Sequence, residues 1–291
     1  MRSSAALIVA ITIALSAPLT AAPAKIDDFS KAVKDNSPAA VRAYLTAGGN
    51  VNATEGEREL TLLHWAAFHG ALDVVKLLVE KGATVNVHAK NPDWMPFHYA
   101  AYQGHAGVVV HLLDHGADLE ALTSDFSPPL ALAATGATHH KKLETLRVLR
   151  SRGADDGRAL IALARTNRQD AIALLLDNGV DVNATPRTKG FGETLGETAL
   201  TQAVEGNNLE LVSFLLGKGA NANVLVPGVN MPTPLTMAAY NCNGPIIDAL
   251  IAKGASRGTT NSSGDTAADL AASGWTSDMQ PCSPDVVAKL R

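Results

Sequence analysis

Histidine has the widest range of possible chemistry in this chain, because an imidazole ring binds metal ions and also transfers protons near neutral pH. The sequence contains nine histidines. A zinc site needs three or four ligands that converge on one point, with further groups that orient them. The spacing of the histidines does not provide such a set, and the adjacent pair His139-His140 falls in a segment that we predict to be a solvated loop. We therefore predict no metal site and no cofactor.

Two motifs that identify common classes of enzyme are also absent from the sequence. The sequence contains neither a glycine-rich phosphate-binding loop nor the His-Glu-x-x-His motif of zinc peptidases. Its acidic residues are numerous, but they form no obvious pair outside loop positions. We predict that the chain is not an enzyme. The alternative is an active site, or a metal site near His139, added to a binding scaffold, because a fold alone does not decide function.

Two segments of the chain repeat each other without a gap, and they reveal the elements that position these residues. Residues 61–87 align with residues 95–121, so that His64 matches His98 at a constant offset of 34 residues. A fixed period of this size indicates stacked supersecondary units, each of which buries its apolar face against the next.

Each unit is predicted to consist of a helix, a tight turn, a second helix and a loop. The first helix carries small residues, usually an Ala-Ala pair, and the second has apolar pairs at helical spacing. A glycine after the second helix supplies its left-handed C-cap. These glycines are Gly48, Gly82, Gly116, Gly153, Gly179, Gly219 and Gly254.

The start of the units resembles the Thr-Pro-Leu-His-x-Ala-Ala motif of the ankyrin repeat family. Residues 61–67, 96–101 and 233–239 keep most of this motif, and the family's loop asparagine is matched by Asn52, Asn86, Asn183 and Asn223. The resemblance covers roughly residues 26–291. It implies an all-α ankyrin repeat solenoid of about eight helix-turn-helix units joined by β-turn-like loops. It also implies that His64 and His98 are structural and hydrogen-bond the backbone of adjoining loops.

The eight predicted helix pairs span about 26–52, 60–86, 94–120, 127–156, 158–183, 197–223, 232–257 and 264–291. Residues 25–52 are predicted to form an N-terminal capping repeat, in which Ser37-Pro38 is a good helix start. Residues 53–291 are predicted to form the ankyrin repeat array, with an atypical last repeat. The fourth unit has extra residues between its helices, and the fifth lacks the opening motif. Whether these irregular repeats at 127–183 break the curvature of the stack is not decided by the sequence.

The inner helices and loop tips of such a stack line one concave surface. Residues just after each small-residue pair are expected to point there, and many of the few aromatic residues fall on this strip. Exposed aromatic residues with polar neighbours are typical of interface hot spots. The alternative for Phe68 and Tyr102 is packing against neighbouring loops. The predicted partner-binding residues are Phe68, His69, Trp94, Tyr102, Gln103, Phe126, Arg165, Phe191, Glu205, Tyr240 and Asn241.

Two long loops are further candidates for binding, because functional loops on a rigid scaffold are common. Residues 184–197 contain three glycines, two cations and Phe191. Residues 224–233 contain five apolar side chains, among them Leu225 and Met231. The apolar tip of the second loop either packs onto its neighbour or contacts a partner, and the sequence leaves both open.

The chain has two cysteines, Cys242 and Cys282, and both fall in inter-helix turns of adjacent predicted repeats. We predict a disulfide bond between them, with two free thiols as the alternative. A closed loop of about 40 residues would contribute roughly 3–4 kcal/mol by the chain-entropy estimate. A terminal repeat touches only one neighbour, so such a bond would stabilise the end of the stack.

The first 24 residues are predicted to be a secretory signal peptide. Arg2 is followed by an apolar run at residues 5–15 and by Ala22-Pro23-Ala24, which makes Lys25 the first mature residue. An uncleaved anchor is the alternative, but the run is short of the ~20 residues that span a membrane. A net charge of −4 argues against a nucleic-acid partner. We expect no membrane association after signal cleavage, and a periplasmic or secreted protein.

These observations favour a non-enzymatic protein–protein binding module, exported to the periplasm, that grips a partner through its concave face and long loops. The alternative is an immunity-type inhibitor of a periplasmic toxic or lytic enzyme. The partner is another protein, whose identity the sequence does not give.

Overall fold

The computed structural model describes residues 33–136, 139–187, 196–273 and 280–291. Within these residues lie seven helix pairs, preceded by the second helix of the first unit. The helices are α1 (Pro38–Thr46), α2 (Leu62–His69), α3 (Leu72–Glu80), α4 (Pro96–Gln103), α5 (Ala106–Asp114), α6 (Pro129–Thr135), α7 (His139–Ser151), α8 (Asp156–Arg165), α9 (Gln169–Asp177), α10 (Ala199–Glu205), α11 (Leu209–Gly217), α12 (Pro234–Tyr240), α13 (Gly244–Ala252), α14 (Ala267–Ser273) and α15 (Pro284–Leu290). Strands β1 (Thr54–Glu55) and β2 (Leu60–Thr61) pair antiparallel in the loop before α2.

The helices form two rows. The first helices of successive units pack on one another in an unbroken row from α2 through α4, α6, α8, α10 and α12 to α14. Second helices pack together at both ends, α1 through α7 and α11 through α15, whereas α9 packs on α6 and α8. The row of first helices therefore continues through the irregular fourth and fifth units. The predicted helical repeat architecture is confirmed.

The core consists of many thin interfaces between units. The alanines of the first helices, including Ala66, Ala67, Ala100 and Ala101, are fully buried. Their small size lets neighbouring helices approach closely, and the second helices add larger aliphatic side chains such as Leu78. None of the described helices combines the length and apolar character needed to cross a bilayer.

The motif histidines take the structural role that the resemblance implies. His64 Nδ1 accepts from Thr61 N at 3.0 Å, and His64 Nε2 lies 3.0 Å from Trp94 O in the next loop. His98 repeats this arrangement with Met95 N at 3.0 Å and Ala121 O at 2.8 Å. Since Nδ1 accepts in both residues, Nε2 carries the hydrogen and donates to the loop carbonyl.

The asparagines of the motif tie each loop to the next. Asn86 Oδ1 accepts from Asp118 N at 3.2 Å, and its Nδ2 donates to Gly116 O at 2.8 Å. Asn223 makes the same pair of bonds with Ser256 N and Gly254 O. These asparagines are therefore structural residues.

The fifth unit begins earlier than predicted, because other residue types perform the capping. Helix α8 starts at Asp156 and not at 158, and Asp155 Oδ1 caps it by accepting from Arg158 N at 3.0 Å. The second oxygen of Asp155 accepts from Arg187 N at 2.7 Å. Glu120 joins the previous loop to this start by accepting from Asp155 N at 2.7 Å.

The fourth unit also corrects a prediction. The backbone from His139 onward is helical and begins α7, so His139-His140 does not lie in a loop. The extra residues of this unit lengthen its second helix to 13 residues, where the other described second helices have 7 to 9.

The predicted disulfide bond between Cys242 and Cys282 is present, with the two Cα atoms 5.3 Å apart. Cys242 follows α12 with φ of 51°, the left-handed position that Gly70 and Gly104 occupy in units two and three. The bond joins the inter-helix turns of the last two units. The predicted signal peptide lies outside the described residues.

Candidate functional site

An aromatic cluster lies where the first helices of units two and three meet. We define it as Trp65, Phe68, His69, Trp94, Tyr99 and Tyr102. The His69 ring stacks on Trp65 with centroids 6.0 Å apart. Tyr99 links the two ends because its ring meets Phe68 at 6.0 Å and Trp94 at 5.1 Å. Edge-to-face contacts of this kind stabilise beyond the buried area alone.

Phe68 and Tyr102 pack against neighbouring side chains and also remain partly exposed. Phe68 packs on the core and Tyr102 meets Trp94 at 5.5 Å, yet both side chains are only half-buried. Four predicted partner-binding residues, Phe68, His69, Trp94 and Tyr102, are thus brought together as one surface that is fixed by its own contacts.

A cavity of about 140 Å³ adjoins the aromatic cluster. It is lined by Arg58, Leu60, His64, Trp65, Phe68 and Tyr99. Burial lowers the pKa of His64 to about 4, so this ring is neutral at pH 7. Arg58 is exposed, and it is the charged residue of the lining.

Phe126 and Arg165, both predicted to contact a partner, lie against each other. The guanidinium carbon of Arg165 is 5.9 Å from the ring centroid of Phe126, a cation–π arrangement. The Phe126 side chain is nevertheless 41% exposed. The pair joins the loop tip of unit four to the end of α8 in unit five.

Hydrogen bonds, and not burial of the ring, fix the loop that carries Phe126. Phe126 N donates to Thr123 O at 2.9 Å, and Ser127 N donates to the Thr123 hydroxyl at 3.0 Å. Asp125 accepts from the hydroxyls of both Thr123 and Ser127. Phe126 has φ of 60°, a left-handed conformation that bulky residues rarely adopt.

A larger groove of about 760 Å³ lies between the 224–233 loop and the last unit. Its lining includes the loop residues Val229 and Met231, together with Tyr240, a predicted binding residue. In the same loop, Val226 is fully buried and its NH donates to Pro232 O at 2.8 Å, whereas Leu225 is 60% exposed. The apolar loop therefore packs onto its neighbour at one residue and faces solvent at another.

The remaining predicted residues lie apart at the ends of separate first helices. Gln103 is half-buried at the end of α4, and Asn241 is half-buried just after α12. Glu205 is exposed at the end of α10, where its carboxylate accepts from Gln202 at 3.3 Å. Phe191 lies outside the described residues.

Sequence reasoning missed Arg58, Trp65 and Tyr99 as parts of this surface. A signal for two of them exists, because Trp65 and Tyr99 occupy the same repeat position directly before an Ala-Ala pair. Arg58 gives no comparable signal, since it lies in a loop turn outside the repeated motif.

A metal site or a catalytic nucleophile would be marked by particular groups of side chains. The described ranges hold no group of three or more His, Cys, Asp or Glu residues that could bind a metal ion. One Gly-x-Ser-x-Gly sequence occurs at residues 254–258. Its serine, Ser256, follows helix α13, whereas the nucleophile turn of hydrolases leads from a strand into a helix. Ser256 N instead donates to Asn223 in the structural ladder of asparagines.

Comparison with known families decides the assignment. Residues 29–123 and 130–226 match the family model for ankyrin repeats in three copies, and together they cover more than half of the chain. The chain belongs to the ankyrin repeat family. The resemblance stated from the opening motifs is confirmed.

Individual relatives match different shares of this chain. The chain is 41% identical over 59 residues to the palmitoyltransferase Hip14 of Drosophila melanogaster, covering 20% of this chain and 9% of that protein. It is 26% identical over 241 residues to the E3 ubiquitin-protein ligase KEG of Arabidopsis thaliana, covering 81% of this chain and 13% of that protein. The crystal structure of the ankyrin repeat domain of Bcl-3, a member of the IκB family, has a TM-score of 0.54 and 27% identity. It matches over 81% of this chain and all of that chain. The chain spans well under two thirds of the length of Hip14 and KEG.

Proposed function

We propose that this ankyrin repeat chain is a non-enzymatic protein-binding module that is exported to the periplasm and grips one partner protein. Ankyrin repeat domains mediate protein–protein interactions. The binding surface is the side formed by the first helices and loop tips, with the long loops at 184–197 and 224–233 as additional contacts.

The main support for this binding surface is the backbone conformation of Phe126. A bulky residue at φ of 60° is unfavourable by on the order of 1–3 kcal/mol, and such strain is concentrated at functional sites. Here it keeps a large aromatic side chain 41% exposed at a loop tip, beside a guanidinium group. Aromatic residues and arginine are the residue types most enriched in interface hot spots.

The test is affinity capture with matched baits. The mature chain, residues 25–291, is used against a periplasmic extract of its own source, beside Phe126→Ala and Arg165→Ala variants. Leu209→Ala is the control, because Leu209 is 40% exposed but lies at the inter-helix turn that begins α11. Truncating a hot-spot residue reduces binding by about tenfold or more.

We expect one dominant protein that wild type and Leu209→Ala retain equally and that the Phe126 variant loses. Equal loss with Leu209→Ala, or retention by all baits, contradicts a binding surface at the loop tips. The identity of the captured protein separates a scaffold from an inhibitor: a lytic or toxic enzyme silenced at one-to-one stoichiometry means an inhibitor.

Export has a test of its own. Mass spectrometry of the full chain expressed in a Gram-negative bacterium is expected to find Lys25 as the N-terminal residue in the periplasmic fraction. Recovery of the uncut chain from the cytoplasm contradicts the signal peptide, and with it the periplasmic setting, but leaves the binding surface untouched.

A further inference from the structure

The cavity beside the aromatic cluster has the size of one apolar side chain. Its volume is about 140 Å³, and Leu60, Trp65 and Phe68 supply apolar walls. A dry cavity of about 150 Å³ in a protein core is enough to hold benzene. A phenyl ring or a branched aliphatic side chain therefore fits this space.

Two lining residues carry hydrogen-bond donors that lack a partner. Within the described residues, neither Trp65 Nε1 nor the Tyr99 hydroxyl is hydrogen-bonded, although both atoms are buried. Tyr99 as a whole is only 7% exposed. The indole NH can only donate, and buried polar groups without a partner are rare and unfavourable. A ligand that brings an acceptor oxygen would relieve both.

Arg58 adds a positive charge at the edge of the same cavity. Its backbone is anchored because Arg58 O accepts from Lys90 N at 2.7 Å, and the Lys90 ammonium pairs with the adjacent Glu59. The Arg58 guanidinium itself has no acidic partner in the described part of the chain. Burial raises the pKa of Tyr99 and the nearby charge of Arg58 opposes this rise.

The other polar group of the lining is already occupied. His64 uses one ring nitrogen for Thr61 and the other for Trp94 O, so it offers nothing to a ligand. The lining thus combines apolar walls with donors and a single cation, Arg58. Aromatic rings alone would also suit a cationic ligand, but the guanidinium repels one.

We propose that this cavity binds the C-terminal residue of a partner polypeptide, with an aromatic or branched apolar side chain inside the cavity and the terminal carboxylate at Arg58. A chain terminus carries both groups on one α-carbon, which matches a phenyl-sized space edged by a guanidinium. The carboxylate accepts charge-assisted hydrogen bonds, which are among the strongest in proteins. This inference rests on the proposed protein-binding function.

The test is calorimetric titration of the purified oxidised chain with two peptides. One is acetyl-Gly-Gly-Phe with a free carboxylate, and the other is the same peptide as its C-terminal amide. We expect the acid to bind at least about tenfold more tightly than the amide. In Arg58→Gln the two peptides should bind equally, at the affinity of the amide for wild type.

Two further variants separate charge from shape. Arg147→Gln removes another exposed arginine, on α7, and is expected to keep the tenfold preference. Leu60→Phe fills the cavity from β2, where an aromatic residue suits a strand, and should weaken both peptides about equally. Thermal unfolding of each variant confirms that the stack is intact.

Equal binding of acid and amide to wild type overturns the proposal, and so does the absence of saturable binding by either peptide. Tighter binding of 3-phenylpropionate than of the peptide acid assigns the cavity to a free small carboxylate and also overturns it. The peptides probe the cavity without any cellular partner. Their failure therefore leaves the capture result at Phe126 as a separate test of the protein-binding function.

Discussion

Units two and three begin their first helices with a different side chain from units six and seven, although the same backbone NH is bound. In unit two, His64 Nδ1 accepts from Thr61 N at 3.0 Å, and in unit six Thr201 Oγ1 accepts from Thr198 N at 2.9 Å. The imidazole has a second nitrogen, which donates to Trp94 O in the next loop. The Thr201 hydroxyl instead donates to Thr198 O at 2.8 Å, within its own helical turn.

The two ends of this fold are stabilised by different kinds of contact. At the N-terminal end, each imidazole connects a helix to the following loop, and an aromatic cluster packs around it. At the C-terminal end, the hydroxyls of Thr201 and Thr236 donate within their own helical turns. The loop at 224–233 is long there, and a disulfide bond joins the last two units. We therefore expect the stability of the first end to respond to pH and that of the second end to respond to reduction of the disulfide bond.

Loss of the disulfide bond should have the largest effect on stability, and it should be confined to the C-terminal end. Replacing Cys242 and Cys282 by Ser removes a cross-link with a sequence separation of 40. We expect the last units to lose roughly 3–4 kcal/mol and to unfold before the others. Hydrogen exchange resolved along the chain measures this directly.

Reduction of wild type provides the matched control for that prediction. It should lower protection in residues 244–291 as the double variant does, and it should change nothing in the variant itself. If both ends lose protection equally, the two ends are not independent and the comparison between them fails.

Acid should weaken the N-terminal end selectively. Burial lowers the pKa of His64 from 6.5 to about 4, and burial also lowers the pKa of His98. The unfolded chain binds more protons than the folded chain between these values, so stability is full above pH 6.5 and falls as the pH drops toward 4. For His64 alone the loss at pH 5 is roughly 2 kcal/mol. Urea unfolding at pH 7.5 and pH 5 gives the measurement.

The C-terminal units supply the control for this pH dependence, because threonine occupies the same position there. A double variant, His64→Thr with His98→Thr, keeps a capping acceptor without a titrating group. Its stability should change much less between pH 7.5 and pH 5, although half-buried His69 and His111, whose pKa values burial also lowers, leave a residual slope. An unchanged slope would mean that other groups control the acid response.

Much of this architecture could be predicted from the sequence, because the repeat period and the glycine C-caps are local signals. The resemblance supplied the structural roles of His64 and His98. The start of the fifth unit could not be predicted, because its helix is capped by a residue outside the motif. Asp155 is that residue, and it accepts from Arg158 N. The start of helix α7 was misplaced for a related reason: its first turn reads His-His-Lys-Lys and lacks apolar periodicity.

The candidate site was harder to predict than the fold, because its contacts join residues of different units. Trp65, Phe68 and Tyr99 form one cavity only because α2 and α4 pack side by side. The left-handed conformation of Phe126 depends on a side-chain network with Thr123, Asp125 and Ser127, which no spacing rule identifies. Residue types therefore indicated a binding strip, and only three-dimensional packing divided it into a cluster, a loop tip and a groove.

A substitution at the junction between the two ends should lower the free energy of unfolding by less than the changes at either end. Asp155→Ala removes the cap of α8 and the acceptor for Arg187 N, and we expect a loss of about 1–2 kcal/mol. Asp155→Asn is the control, since asparagine caps helices as well as aspartate does and should lose clearly less. Chemical unfolding of both variants tests this. Equal losses would show that charge, and not capping, stabilises the start of the fifth unit.

Substitution of Phe126 should change the free energy of unfolding least of all, and yet it should abolish partner capture. Among the described residues, seven that are not glycine have a positive φ, and four of these are asparagines: Asn36, Asn91, Asn167 and Asn207. Asparagine is thus the commonest non-glycine residue in this conformation here. Phe126→Asn relieves left-handed strain but loses the contact with Arg165, which is about 0.5–1 kcal/mol at an exposed site. We expect the free energy of unfolding to stay the same or rise by up to about 0.5 kcal/mol while partner capture is lost. A loss of more than about 1 kcal/mol would instead make Phe126 a packing residue, and the strained loop would then belong to the stability of the stack and not to recognition.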